Sequence, residues 1–143
     1  MSMSNDSENA LLLYIFNSVA ITTTLNFPDT TSVAVCLHTG DPGEAGTPVN
    51  SETSYTGYYR VVLARDDSSD WTVTNNSVSP AANIEFGECT AEPGAALTHW
   101  SVVTSGLPLD EGAILFSGAI SPSIVMAVGV IPIIKTTSTI TLD

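Results

Sequence analysis

Positive charge is what this sequence has least of. Arg60, Arg65 and Lys135 are its only bases against 15 acids, and the net charge is −12. A surface that neutralises nucleic-acid phosphates needs several clustered Lys or Arg side chains. Nucleic acid is therefore not an expected partner, and an anionic membrane surface would repel the chain. Cysteine is scarce as well. Cys36 and Cys89 match neither a CxxC pair nor a zinc-ligand spacing, and each lies in or beside an apolar run, where a buried free thiol is expected. A disulfide would need an oxidising compartment, and no Lys or Arg precedes the N-terminal apolar run as a secretory signal requires. The apolar run Ile124 to Ile134 is too short for a transmembrane helix and is interrupted by Gly129 and Pro132. These absences point to a protein made in a cytoplasm with no membrane partner.

Charge of either sign is sparse, at 13% of residues, where an average domain carries about 25%. Ser, Thr and Asn must do the solvating. The acidic excess suits a basic protein surface as partner, and it equally serves solubility alone.

The 143 residues suit one domain, 1–143, with its own core. The first element reads as a helix over 5–20. Asn5 and Glu8 form a capping-box pair, Asp6 and Glu8 suit the first turn, and Leu11, Leu12, Ile15, Phe16 and Val19 follow at helical spacing. That apolar face must dock on the chain's own sheet or on another subunit. From Thr22 onward β-branched residues dominate. "TSVAVCLHT", "YYRVVLARD", "DWTVTNN", "ANIEFGEC", "ALTHWSVVTS", "GAILFSGAI", "SIVMAVGVI" and "STITLD" read as short strands separated by turn signals. Alternation puts Ile84 and Phe86 inward, and groups Leu97, His99, Ser101 and Val103 on one face against Thr98, Trp100, Val102 and Thr104 on the other. The expected fold is all-β: an antiparallel β-sandwich, jelly-roll-like, over 33–143, with one amphipathic N-terminal helix and a long loop over 40–57. The final strand is expected to pair within its own sheet rather than with a neighbour's edge.

Candidate chemistry is thin. His38 shares a strand face with Cys36 and lies near Asp41, but no GxSxG and no HExxH accompany it. A structural histidine is the expectation for His38. The acids Asp66, Asp67 and Asp70 hold oxygen ligands suited to Ca²⁺, yet they lack the order of a calcium loop and read first as a solvated turn. Glu85 and Glu88 show nothing that marks a glycosidase pair. No catalytic, cofactor or metal residue is assigned, and the chain is not expected to be an enzyme.

The segment "VAVCLHTGDPGEAGTPVNSETSYTGYYRVVL", Val33 to Leu63, resembles a family of small bacteriophage virion proteins, variously tail-fibre-like or capsid cement (decoration) proteins. The matching residues are Leu37, His38, Thr39, Asp41, Pro42, Gly43, Glu44, Gly46, Glu52, Tyr58 and Arg60. The N-terminal helix, "NIEFG" and "GAILFSGAI" are similar in layout. Tyr55 and Thr56 stand where the family has paired glycines, and Tyr59 where a small residue is usual. The resemblance implies a structural virion protein with no cofactor. It implies a capsid cement protein on the outer surface of the head, a homo-oligomer whose partner is the major capsid protein. The alternative is a tail-fibre or adhesin module that binds a host-surface glycan, with Tyr55, Tyr58 or Tyr59 lining a groove.

Two expectations about residues follow. Pro and Gly content favours a loop of fixed shape, tied back by a charge-assisted bond from Arg60 to Asp41, Glu44 or Glu52. Interface anchors are sought on the helix (Leu11, Leu12, Ile15, Phe16) and among the loop tyrosines.

Overall fold

A computed structural model describes residues 2–18, 20–21, 25, 31–65, 70–105 and 112–142. The order of elements is β1 (Ser2–Met3), α1 (Asn5–Asn17), β2 (Ser32–His38), β3 (Val61–Ala64), β4 (Trp71–Thr74), β5 (Ser77–Pro80), β6 (Ile84–Glu85), β7 (Leu97–Val103), β8 (Ile114–Ile124), β9 (Ile133–Ile134) and β10 (Ile140–Thr141). Every pairing is antiparallel. The main sheet runs β1-β8-β7-β2-β3, and two smaller sheets run β10-β5-β4 and β6-β9. The expected all-β sandwich with one N-terminal helix is what forms. The C-terminal strand pairs within the chain, Ile140 opposite Val78.

The main sheet separates two kinds of interior because strand side chains alternate. Val33, Val35 and Leu37 of β2, with Trp100 and Val102 of β7, point into the principal core. Tyr55, Ile84, Phe86, Cys89, Met126, Ile134 and Ile140 close it from the opposite layer. The intervening residues Ala34, Cys36 and Val103 face the other way with Ile114. His38 and Ser101 also lie buried.

The alternation expected along β7 breaks at its start. A register shift between Leu97 and His99 carries Leu97 into the cluster with Trp100 and Val102. A bulge adds a residue and so reverses the facing of what precedes it. The apolar run after β8 also departs from expectation: residues 125–132 lie outside the strands, and only Ile133–Ile134 pairs, with β6. β3 keeps just Val61–Ala64 of the longer strand read there.

The helix is shorter than expected and docks differently. Its N-cap is Ser4 rather than Asn5, with the Ser4 hydroxyl accepting from the Ser7 backbone N–H at 3.2 Å. It ends at Asn17 because Ser18 adopts a left-handed conformation, φ 57°. The same Ser4 hydroxyl donates to the Ile114 carbonyl, and Ser7 Oγ donates to the Leu115 carbonyl at 3.1 Å. Small residues Ser4, Ser7 and Ala10 are buried against the sheet. Of the two expectations for the apolar face, docking on the chain's own sheet is not what forms: Leu11, Ile15 and Phe16 are exposed, together with Tyr14.

Candidate functional site

The loop between β2 and β3 carries most of the sequence-derived candidates, and it is held at both ends. Leaving β2, the chain folds back at once. Thr39 N–H donates to the Ser51 carbonyl at 2.8 Å and Thr53 N–H to the Leu37 carbonyl at 2.9 Å, so His38 lies opposite Glu52. The tip is built from local chemistry. Asp41 Oδ1 accepts from Gly43 N–H at 2.9 Å, and Asn50 Oδ1 accepts from Thr47 N–H at 3.2 Å. Gly43 sits at φ +77°, a conformation that favours glycine. Gly46 serves close approach: a Cβ there would meet the Pro42 carbonyl oxygen at 1.8 Å. Pro48 is fully buried. The Glu44 carbonyl accepts from Asn5 N–H at 3.2 Å, which ties the tip to the start of α1.

The loop's anchor is Arg60. Its Nε and Nη2 donate to the two oxygens of Glu52, each at 2.8 Å, and its Nη1 donates to the Ser105 carbonyl at 3.0 Å. This fork-on-carboxylate geometry is the strong form of an ion pair. Tyr58 completes it: its hydroxyl donates to Glu52 Oε1 at 2.8 Å and accepts from Leu37 N–H at 3.3 Å. Burial works against the guanidinium charge, but the hydrogen bonds and charge of Glu52 outweigh it and raise the pKa of Arg60. Of the three acids within reach in sequence, Glu52 is the partner, because its backbone is already fixed opposite His38.

The tyrosines divide. Tyr55 is buried, donates to the Gly87 carbonyl at 2.8 Å and meets Tyr58 edge-on, with ring centroids 5.5 Å apart. Burial pushes its hydroxyl up to about 12. Tyr58 stacks on Phe86 at 6.4 Å. These two rings belong to the core that shapes the loop. A ring hidden in the core cannot line an open groove, so only Tyr59, which is 52% exposed, keeps that possibility.

His38 shows what a crowded polar sequence becomes when folded. Its Nδ1 lies 2.9 Å from the Asn50 carbonyl and its Nε2 lies 2.7 Å from Ser101 Oγ. A carbonyl only accepts, so Nδ1 carries the proton and Nε2 accepts from the serine. Burial holds the imidazole below its ordinary pKa and pushes the neighbouring Cys36 thiol upward. The Ser–His pair resembles a nucleophile and its base, but His38 and Ser101 are both fully buried, out of a substrate's reach.

Among the described residues no group of three His, Cys, Asp or Glu is placed to hold a metal. Asp66 and Asp67 lie outside the described residues, while Asp70 Oδ2 accepts from Ala64 N–H at 2.6 Å. Leu11, Tyr14, Ile15 and Phe16 form an unpaired apolar surface on α1, with Phe16 78% exposed. The side chain of Leu12 is outside what is described. Tyr14 escaped sequence reasoning because its hydroxyl hid its place on the same helix face.

No helix among the described residues is long and apolar enough to cross a membrane. The family model of the podophage GP4 fiber I protein gp80 matches residues 2–141, from β1 through β10. No curated protein matches the chain.

Proposed function

The chain belongs to the family of the podophage GP4 fiber I protein gp80, a family of phage structural proteins, and from that we propose that it is a tail-fibre module whose ligand is a host-surface glycan. The observation that carries this reading is the extent of the match, which spans every described element. The family is named for a fibre, and this favours the fibre alternative over the capsid-cement expectation, with its major capsid protein partner.

The module works by assembly and attachment, not by catalysis. The Ser101–His38 pair is fully buried. Its most tightly bonded geometry is mechanical: Glu52, Tyr58 and Arg60 lock the loop, and α1 is riveted to β8 by serine hydroxyls. We assign copy-to-copy contact to the exposed face of α1. Residues 9–18 contain no charge, so this is a place where two copies of a chain with net charge −12 meet without like-charge repulsion. Burying a large apolar side chain contributes about 1.5–3 kcal/mol, so covering Ile15 and Phe16 favours the contact.

Immunogold labelling of intact virions, with a copy count per particle, tests the reading. Label on the tail and at most a few dozen copies are expected. Label over the head, with hundreds of copies, would overturn it and restore the cement protein. Sedimentation of the purified chain tests the assembly surface: Phe16→Asp should shift an oligomer toward monomer.

A further inference from the structure

A cleft of about 630 Å³ opens between the second half of β8 and the turn that joins β9 to β10. That volume lies in the range of small-molecule sites, about 300–1,000 Å³. Ile120, Ile124 and Ile133 supply its apolar lining, above the buried Trp100. Ser121 from β8 and Thr137 and Thr139 from the turn bring hydroxyls to the walls, and Lys135 stands at the rim. The charges are unlike those of the rest of the chain. Acids outnumber bases 15 to 3, yet among the described residues no Asp or Glu lines this cleft and one of the three bases does. Arg60 is committed to Glu52. Lys135 makes no ion pair among the described residues.

We propose that this cleft binds a saccharide bearing a carboxylate. An apolar floor ringed by hydroxyls matches a sugar ring, which has C–H faces and a hydroxyl edge. The ammonium of Lys135 meets the carboxylate as a point charge, and none of the described wall residues carries an acid that would cancel it. One exposed ion pair adds little affinity, so single-copy binding is weak and several linked copies supply the avidity. The inference rests on the fibre reading for the glycan's origin, and on the cleft alone for its chemistry.

The test is an NMR titration of the purified full chain with two carboxylate probes, trigalacturonate and sialyllactose, each against its neutral counterpart, maltotriose or lactose. Amide shifts at Ser121 and at Thr137 to Thr139 are expected to report binding. At least one carboxylate probe should bind about three- to fivefold tighter than its counterpart, the contribution of an exposed pair, with the preference fading at high salt. Which probe wins distinguishes a uronate from a sialate source. Lys135→Met should abolish the preference at unchanged melting temperature, and Thr137→Val with Thr139→Val should weaken every probe that binds. No binding, equal binding of charged and neutral probes, or a preference that survives Lys135→Met would overturn the proposal. So would a Lys135→Met variant that alters self-association instead. Failure here with label still on the tail removes the site and leaves the fibre reading. Binding here with label on the head does the reverse.

Discussion

The two faces of the main sheet are sealed by different physics. One face presents Val33, Val35, Leu37, Trp100 and Val102 to an apolar core. The other presents Ala34, Cys36, His38 and Ser101, and is closed by small side chains and hydrogen bonds from the loop and from α1. The first is non-directional and scales with buried area. The second is directional, so each group depends on a named partner, and losing one partner strands the other. The polar face also governs the surface: because α1 docks with Ser4, Ser7 and Ala10, its large apolar residues are left free to meet something else.

The sharpest way to break this contrast is at Arg60. Arg60→Ala leaves Glu52 buried without its counter-charge, a loss of about 3–5 kcal/mol, to be read by urea denaturation. The double variant Arg60→Met with Glu52→Leu should recover part of it, since neither charge is then stranded, while the Tyr58 hydroxyl and the Ser105 carbonyl each still lose a partner. On the apolar face Leu37→Ala should cost about 2–5 kcal/mol for the cavity it opens, and here no second substitution at a hydrogen-bond partner should rescue. A Leu37→Ala loss far below Arg60→Ala would mean that the polar face dominates stability.

Smaller effects sharpen the comparison. Ser101→Ala leaves Nε2 of His38 without its partner, costing about 1–3 kcal/mol. His38 also makes the polar face sensitive to acid. Its folded pKa lies below the unfolded value, so as pH falls the unfolded state takes up its proton first. Its stabilising contribution is thus full above the unfolded pKa of about 6.5 and is lost as pH falls from there toward the folded value. Thermal melts from neutral to mildly acidic pH should show a steeper decline for the parent chain than for His38→Gln. The smallest effect is expected at Ser4: Ser4→Ala removes the N-cap, about 0.5–2 kcal/mol, and should raise hydrogen exchange in the first turn of α1 before that of β2.

Much of this was legible from residue order. The helix, the inward Ile84 and Phe86, and the tied-back loop all follow from periodicity, turn formers and the scarcity of cations. The misses have separate causes. Leu97 switched faces because a bulge is one residue of slip, invisible to an alternating pattern. Tyr55 and Tyr58 looked like surface anchors because their hydroxyls read as polar, while the fold gave each hydroxyl a partner and used the ring for packing. The cleft at Lys135 joins β7, β8 and the β9–β10 turn, and no local motif marks it.

By itself the sequence determined the class of the molecule: a β-rich, acidic chain with little catalytic equipment and a shaped loop after β2. Those properties rest on composition and short-range geometry, which act before any distant contact forms. Only the tertiary structure decided which acid Arg60 holds, which face of α1 is left exposed, and which side chains surround the lone lysine. Each of these depends on residues far apart in the chain meeting across a strand pairing, and the register of that pairing is a property of the folded whole.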